Sequence, residues 1–121
     1  PQGNLAARIQ AAGAGLGAIY TPTGYGTLLA EGKESKVING KGYVLEYPIY
    51  ADFALIKANQ GDRWGNLTYR MSARNFGPIM ATAAKCTIAQ VNEVVPLGDI
   101  HPEHVITPGI FVKHVVAVKG I

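Results

Sequence analysis

The chain has 121 residues, of which 48% are hydrophobic and 16% are charged, so it can form a packed core and is not an intrinsically disordered segment. Its net charge of +3 is spread along the chain instead of being gathered on one element, which disfavours a nucleic-acid-binding face. The sequence has no apolar run of roughly 18 residues that would predict a membrane span, and its single cysteine, Cys86, predicts a reducing compartment such as the cytoplasm.

The first thirty residues combine a short helix with a glycine-rich loop. Leu5, Ile9 and Ala12 recur at helical spacing and predict a helix over residues 4–12, with Asn4 as its N-cap. The run from Gly13 to Gly26 is rich in glycine, which loses more chain entropy on folding than any other residue. Such a run indicates either close approach of the backbone to a ligand or another chain, or a loop packed tightly under a strand.

Two nucleotide-binding patterns fit this loop poorly. Gly13, Gly15 and Gly17 follow the predicted helix, whereas the glycines of a dinucleotide-binding site precede one. A P-loop requires a different spacing before Lys33, and it requires a hydroxyl where Glu34 stands. The sequence therefore predicts neither a Rossmann site nor a P-loop.

The rest of the chain alternates strands and helices. Asn39-Gly40 lies between two β-rich runs and predicts the turn of a hairpin over residues 36–46. The apolar run 51–58 predicts a strand buried on both faces of a sheet, and Asn75 caps a predicted helix over residues 75–84. Further strands are predicted over residues 67–69, 86–91 and 111–118. The order of elements predicts an α/β domain whose mixed or parallel sheet is flanked by helices.

Two groups of polar residues are candidates for function. His101 and His104 have an H-x-x-H spacing, but they lie on a proline-containing turn without a third histidine nearby, so no metal site is predicted. Gln2 lies at a predicted strand end just before the helix, where α/β sheets place ligands, and its amide can donate to a carboxylate or thioester oxygen. A turn residue that bonds local backbone is the alternative for Gln2.

Five segments resemble the α-subunit of the family I CoA-transferases, in the order in which the family has them. They are PQGNLAARIQAAGAGLGAIYTPTGYGTLLAEGKES, ADFALIKAN, GDRWGNLTYR, SARNFGPIMATAAK and ITPGIFV. The resemblance implies the CoA-transferase fold and an enzyme that moves coenzyme A between carboxylic acids. Because it begins in the middle of the family's α-chain, residues 1–121 are expected to be the C-terminal half of one α-subunit domain, without the N-terminal half that carries a G-G-F motif.

The resemblance also implies a division of labour between two kinds of chain. The family's catalytic glutamate belongs to the β-subunit, so no catalytic residue is expected in this chain, and a hetero-oligomer such as α2β2 is expected. A coenzyme A thioester is the substrate, and no permanently bound cofactor is expected. The P-Q-G of the family lies at the acyl end of its active site, which makes Gln2 and the following loop the expected substrate-binding region. The residues assigned to it are Gln2, Gly3, Gly15, Thr21, Thr23 and Gly24.

The acyl specificity is also suggested by the resemblance. Two segments favour the members that use 3-oxoadipate with succinyl-CoA over those that use acetoacetate or acetate. They are TPTGYGTLLAEGKE and DFALIKANQGDRWGNLTYR. An interpretation of another class stays open, in which the chain is a non-catalytic α/β module that binds a ligand or scaffolds a partner. A partner protein that carries a glutamate in a glycine-flanked loop would favour the enzyme.

Overall fold

The computed structural model describes residues 1–119. The chain divides into an N-terminal unit, Pro1–Tyr50, and a C-terminal unit that starts at Ala51. Each unit has its own three-stranded sheet, antiparallel in the first and parallel in the second, and the second unit also contains a two-stranded parallel pair. The fold class is therefore confirmed as α/β with a mixed strand arrangement.

The N-terminal unit packs one helix with a three-stranded sheet. Its elements are α1 (Gln2–Ala14), β1 (Ile19–Thr21), β2 (Ser35–Ile38) and β3 (Lys41–Glu46), with a 3₁₀ turn at Leu28–Ala30. The strands lie in the order β1-β3-β2, and β3 pairs antiparallel with both neighbours. The predicted hairpin is confirmed, because Asn39 (φ 50°) and Gly40 (φ 78°) both take the positive φ that a two-residue type I′ turn requires.

Helix α1 begins earlier and packs differently than the sequence predicts. It starts at Gln2, so the prediction of Asn4 as N-cap is wrong, and Gln2 is the first residue of the helix instead of a residue before it. Asn4 is buried inside the first turns, whereas Leu5 is exposed. The helix ends at Gly15, whose left-handed backbone (φ 73°) lets Leu16 N bond to Ala11 O at 2.9 Å in the usual glycine C-cap.

The C-terminal unit is built on a parallel sheet. Its elements are β4 (Ala51–Lys57), β5 (Gln60–Gly61), α2 (Gly77–Thr82), β6 (Ala84–Val91), β7 (Glu93–Val94) and β8 (His114–Ala117). Strands β4, β6 and β8 lie in that order and are parallel, with β6 at the centre. Strands β5 and β7 form a short parallel pair that the sequence pattern does not reveal, since each has only two residues.

The core of this unit lies on one face of the parallel sheet. Ala54 and Ile56 of β4 and Ala89 and Val91 of β6 are buried together with Leu67. The small side chains at Ala54 and Ala89 let α2 approach the sheet closely, because less side-chain volume separates the two layers. One face of the strands is thus tightly packed.

The other face of β4 differs from the prediction of burial on both sides. Phe53 is 65% exposed and Leu55 is 72% exposed, while their neighbours Ala54 and Ile56 are buried. The continuous apolar run therefore alternates between a packed side and an open side within the described residues. Because parallel sheets are nearly always covered on both faces, these two side chains mark a surface suited to burial.

Three further boundaries differ from the sequence predictions. Asn75 lies before α2, whose N-cap is Phe76, so Asn75 is not the cap. The predicted strand 67–69 is reduced to isolated bridges of Leu67 with Gly61 and Thr107. The last strand, predicted over residues 111–118, is confirmed only over His114–Ala117. Its predicted first residue lies in the 3₁₀ turn Gly109–Phe111.

Candidate functional site

The first turn of α1 lies against the loop that follows β1. Asn4 Nδ2 donates a hydrogen bond to Thr23 O at 3.1 Å, across 19 residues of sequence. A Cβ added to Gly3 would lie 3.1 Å from Thr23 Oγ1, so glycine lets the helix approach the loop. The structure thus brings Gly3 and Asn4, next to Gln2 in the first turn of the helix, against Thr23 of the loop. The role of Gln2, Gly3 and Thr23 in binding stays a prediction.

The start of α1 has the chemistry of an anion-binding end. The first intrahelical bond runs from Leu5 N to Pro1 O at 3.2 Å, which leaves the preceding N–H groups without a helical partner. The first turn carries no acidic side chain, and the Gln2 side chain is exposed. Unpaired N–H groups and the positive end of the helix dipole favour a carboxylate or phosphate at such a position.

The loop Thr21–Gly24 is held by its own hydrogen bonds. Thr23 N donates to Thr21 Oγ1 at 3.3 Å, and Thr27 Oγ1 donates to Gly24 O at 2.6 Å. Gly24 has φ 86°, and a Cβ at this position would collide with the Leu29 side chain. Thr21 itself is buried in β1, where it pairs with Val44 of β3. Gly24 and Thr21 therefore shape the loop, and Thr23 contacts the first turn of the helix.

Gly15 lies at the opposite end of the same helix from Gln2. Thirteen residues of helix at 1.5 Å per residue separate the two ends by about 20 Å. The left-handed C-cap accounts for a glycine at this position, and an added Cβ would meet nothing within 4 Å. The structure therefore does not bring Gly15 together with Gln2 and Gly3 at the start of the helix.

One buried polar atom at this end of α1 has no partner. Asn4 Oδ1 is buried and accepts no hydrogen bond from the described residues. An unsatisfied buried acceptor is uncommon, because leaving one without a donor costs free energy. The Asn4 amide therefore donates through Nδ2 to Thr23, while its Oδ1 accepts no hydrogen bond from the described residues.

A buried ion cluster in the N-terminal unit is not apparent from the sequence. Glu46 at the end of β3 is only 3% exposed and lies 2.5 Å from Lys33 Nζ and 3.5 Å from Arg8 Nε. Arg8 Nε also donates to Tyr47 O at 2.8 Å, which ties α1 to the strand end. No local spacing signals this cluster, since its members come from a helix, a turn and a strand. The two cations provide ion-pair partners that compensate for the removal of this carboxylate from water.

Two tyrosines have perturbed ionisation. Burial, and then the nearby Glu34 carboxylate, raise the pKa of Tyr20, and Lys36 Nζ lies 5.9 Å from its ring centroid. Burial also raises the pKa of Tyr69, whose hydroxyl lies 2.6 Å from Thr107 Oγ1, although that hydrogen bond acts in the opposite direction. Both phenols therefore stay neutral to higher pH than a free tyrosine.

The acidic and histidine candidates have structural partners. Asp62 is buried and accepts bonds from Trp64 N and Asn66 N at 2.9 and 3.1 Å, so it organises the loop after β5. His101 Nδ1 accepts a bond from Glu103 N at 3.1 Å, and its ring lies 5.2 Å from that of His104. Within residues 1–119, no three His, Cys, Asp or Glu side chains are grouped closely enough to hold a metal ion.

The two helices of residues 1–119 do not meet the requirements of a membrane span. Neither α1 nor α2 combines sufficient length with sufficient apolar character to cross a bilayer.

Comparison with known proteins gives consistent matches over nearly the whole chain. The family model for coenzyme A transferase matches residues 1–118. The α-subunit of 3-oxoadipate CoA-transferase from Pseudomonas putida is 72% identical over 99% of this chain, and the protein of the same name from Acinetobacter baylyi is 75% identical over 99%. The chain spans about half the length of these relatives, 52% and 53% respectively.

A solved structure supports the fold. An acyl-CoA transferase from Escherichia coli O157:H7 superposes with a TM-score of 0.84 and 25% sequence identity. The match covers 98% of this chain and 27% of that one. The architecture described above is therefore one that occurs inside a larger protein of related sequence.

Proposed function

Because the chain belongs to the coenzyme A transferase family, we propose that it is part of the α-subunit of an enzyme that moves coenzyme A from succinyl-CoA to 3-oxoadipate. The observation that carries this proposal is the 72–75% identity, over 99% of the chain, to two proteins named as the α-subunit of 3-oxoadipate CoA-transferase. The substrates and the partner of those proteins are extended to this chain as part of the proposal.

The proposed chemistry is covalent catalysis by a glutamate of the partner. The carboxylate oxygen attacks the thioester carbonyl of succinyl-CoA and the C–S bond breaks. The thiolate of coenzyme A is released, and the succinyl group and the glutamate form a mixed anhydride. The thiolate then attacks the glutamyl carbonyl of that anhydride. Succinate departs, and a glutamyl-CoA thioester remains on the partner.

The second half of the reaction repeats these steps with the acceptor. A carboxylate of 3-oxoadipate attacks the glutamyl thioester and releases the thiolate, which then attacks the acceptor's own carbonyl in the new anhydride. The products are 3-oxoadipyl-CoA and the free glutamate carboxylate. Since succinate leaves before the acceptor reacts, the kinetics are expected to be ping-pong.

This chain contributes binding groups in the proposal. Gln2 is exposed at the start of α1, beside helical N–H groups that have no partner within the helix. A substrate with two carboxylates has one that does not react, and the amide of Gln2, the N–H groups and the Thr23 hydroxyl are suited to receive it. The contact of Gly3 with Thr23 brings these donors together.

The partner in the proposal is the β-subunit, in an α2β2 or similar hetero-oligomer. The apolar side chains of Phe53 and Leu55 are 65% and 72% exposed, which supports a chain whose surfaces are covered in an assembly. Size-exclusion chromatography with light scattering on the two co-expressed chains is expected to give a hetero-oligomer. A stable monomer that does not bind the partner would contradict this part of the proposal.

The function is tested on the complete two-chain enzyme. Initial rates with succinyl-CoA are measured with 3-oxoadipate and acetoacetate in parallel, and the specificity constant for 3-oxoadipate is expected to be higher. The enzyme is also incubated with succinyl-CoA without acceptor, and each chain is weighed by mass spectrometry. The mass of coenzyme A is expected on the partner, and its attachment to this chain would contradict the division of labour. Failure to transfer coenzyme A to either acid would favour a non-catalytic module.

A further inference from the structure

A cavity lies in the C-terminal unit, beyond the carboxyl ends of two parallel strands. It has a volume of about 630 Å³, and β4 and β6 point into it where they end at Lys57 and Val91. Crevices outside the carboxyl ends of parallel strands are the usual ligand positions in α/β sheets. A volume of this size is also within the range of ligand pockets, about 300–1,000 Å³.

The floor of this cavity is made of two asparagine side chains that hold each other in place. Asn92 Nδ2 donates to Asn59 Oδ1 at 3.1 Å, and Asn92 N donates to Asn59 O at 2.9 Å. Asn59 N is fixed in turn by Thr68 O at 2.7 Å. With Asn59 Oδ1 used by Asn92, the Nδ2 group of Asn59 has no acceptor among residues 1–119, so it is an available donor beside the cavity.

The rim of the cavity is positively charged. Lys57 and Arg70 both line it and are both exposed, and no Asp or Glu is among its lining residues. Neither cation forms an ion pair with a carboxylate in the described part of the chain. Two unpaired cations and an amide donor around one cavity, without a counter-charge, favour an anionic ligand.

The backbone at the rim is held in an unusual conformation. Met71 follows Arg70 and has φ 54°, in the left-handed region that residues other than glycine rarely adopt. Its side chain is 79% exposed, so no core packing accounts for the conformation. Strained residues of this kind cluster at ligand sites. The conformation starts the 3₁₀ turn Met71–Arg74, which places Ser72 on the cavity wall.

We propose that this cavity binds an anionic group of the reacting molecules through Arg70 and Lys57, with Asn59 as a further donor. The identity of the ligand rests on the proposed function. A phosphate of coenzyme A and the non-reacting carboxylate of 3-oxoadipate, which the proposed function otherwise assigns to Gln2, share the chemistry that the cavity recognises, and the experiment distinguishes them. A planar guanidinium binds either group through two parallel hydrogen bonds, so Arg70 is the principal contact.

The test measures binding directly on the complete enzyme, by titration calorimetry with coenzyme A, dephospho-coenzyme A, 3-oxoadipate and acetoacetate. The variants are Arg70→Gln and Lys57→Gln. The control is Lys113→Gln, which makes the same change in charge on an exposed residue just before β8, at the opposite end of the strands. Arg70→Lys keeps the charge without the planar fork and is expected to restore part of the affinity. Because these side chains are exposed, the variants are expected to keep the thermal midpoint of the wild type.

The two sources of the anion give different results. If the site holds the substrate carboxylate, Arg70→Gln raises the Kd of 3-oxoadipate about tenfold and leaves that of coenzyme A unchanged. If it holds a phosphate, the Kd of coenzyme A rises instead, and a smaller rise for dephospho-coenzyme A identifies the 3′-phosphate. The proposal would be overturned if the Kd values of both variants stayed within twofold of the wild type for all four ligands. It would also be overturned if Lys113→Gln lost as much affinity as they do. Transfer of coenzyme A by the wild-type enzyme is measured separately. Failure of the proposed function can therefore be distinguished from failure of the proposed anion site.

Discussion

The side chain of Asn4, inside the first turns of α1, donates a hydrogen bond to the backbone oxygen of Thr23 at 3.1 Å. This bond joins the start of the helix to the loop that carries the other candidate substrate residues. A residue that looks like a helix cap in the sequence therefore fixes a long-range contact instead.

Replacing Asn4 by Ala is expected to destabilise the protein by about 1–3 kcal/mol, because it leaves the Thr23 oxygen without its donor and opens space in a buried position. Gln10→Ala on the exposed side of the same helix is the control and should stay within about 0.5 kcal/mol of the wild type. Urea unfolding measures both. Equal stability of the two variants would show that the Asn4–Thr23 bond contributes nothing.

Gly24→Ala and Gly26→Ala separate backbone strain from side-chain contact. Both glycines have positive φ, 86° and 75°, so alanine at either position costs about 1–2 kcal/mol in strain. Only the Cβ at position 24 would collide with Leu29, whereas the one at position 26 meets nothing within 4 Å. Displacing Leu29 should make Gly24→Ala the less stable variant by about a further 1 kcal/mol in urea unfolding. Equal losses would mean that Leu29 moves aside without cost.

Glu46→Gln is expected to destabilise the protein by about 1–3 kcal/mol. The substitution keeps the volume of the buried side chain but removes the charge that Lys33 and Arg8 share. The contrast is Asp52→Asn, which breaks the Lys85–Asp52 pair, where the side chains are 83% and 79% exposed. That pair should contribute about 0–1 kcal/mol, because water screens it. Thermal and urea unfolding compare the two, and a larger loss from Asp52→Asn would contradict the ranking.

The protein is expected to lose stability at high pH through Tyr69. Burial raises the pKa of this phenol in the folded state above the ordinary value of 10.0. The folded state therefore holds the phenol proton more tightly than the unfolded state does, which adds to the free energy of unfolding. This added stability is fully present below about pH 10 and is lost as the pH rises through the pKa of the folded state. Urea unfolding between about pH 9 and 11 should show a shallower fall in the free energy of unfolding for Tyr69→Phe than for the wild type. Tyr50→Phe, at an exposed position, is the control and should follow the wild-type curve.

Under the proposed function, Gln2→Ala should lower the specificity constant for 3-oxoadipate in the complete enzyme. Losing one donor to a charged carboxylate costs about 1–3 kcal/mol, which corresponds to a fall of roughly 5- to 150-fold. Acylation by succinyl-CoA should also weaken, since succinyl carries a carboxylate, while the Kd of free coenzyme A should be nearly unchanged. Gln10→Ala is the matched control. Values for both acid half-reactions within twofold of the wild type would show that Gln2 does not bind the substrate.

Local chemistry made several features predictable from the sequence. The hairpin follows from Asn39-Gly40, because both residues tolerate the positive φ of the turn. The strands predicted over residues 51–58 and 86–91 follow from their β-rich apolar runs, and the structure has β4 over Ala51–Lys57 and β6 over Ala84–Val91. Five family segments in order were sufficient to predict the coenzyme A transferase family, which the comparisons confirm.

The family, the α/β class and the Asn39-Gly40 turn could be predicted because each depends on residues that are close together along the chain. The tertiary structure decided which distant residues meet. It took Asn4 away from its predicted capping role and paired it with Thr23, and it gathered Arg8 and Lys33 around the buried Glu46. It also placed Arg70 on the cavity that Lys57 and Asn59 line at the end of β4. Contacts between distant residues depend on how strands pair and which faces pack, and no short-range pattern encodes them.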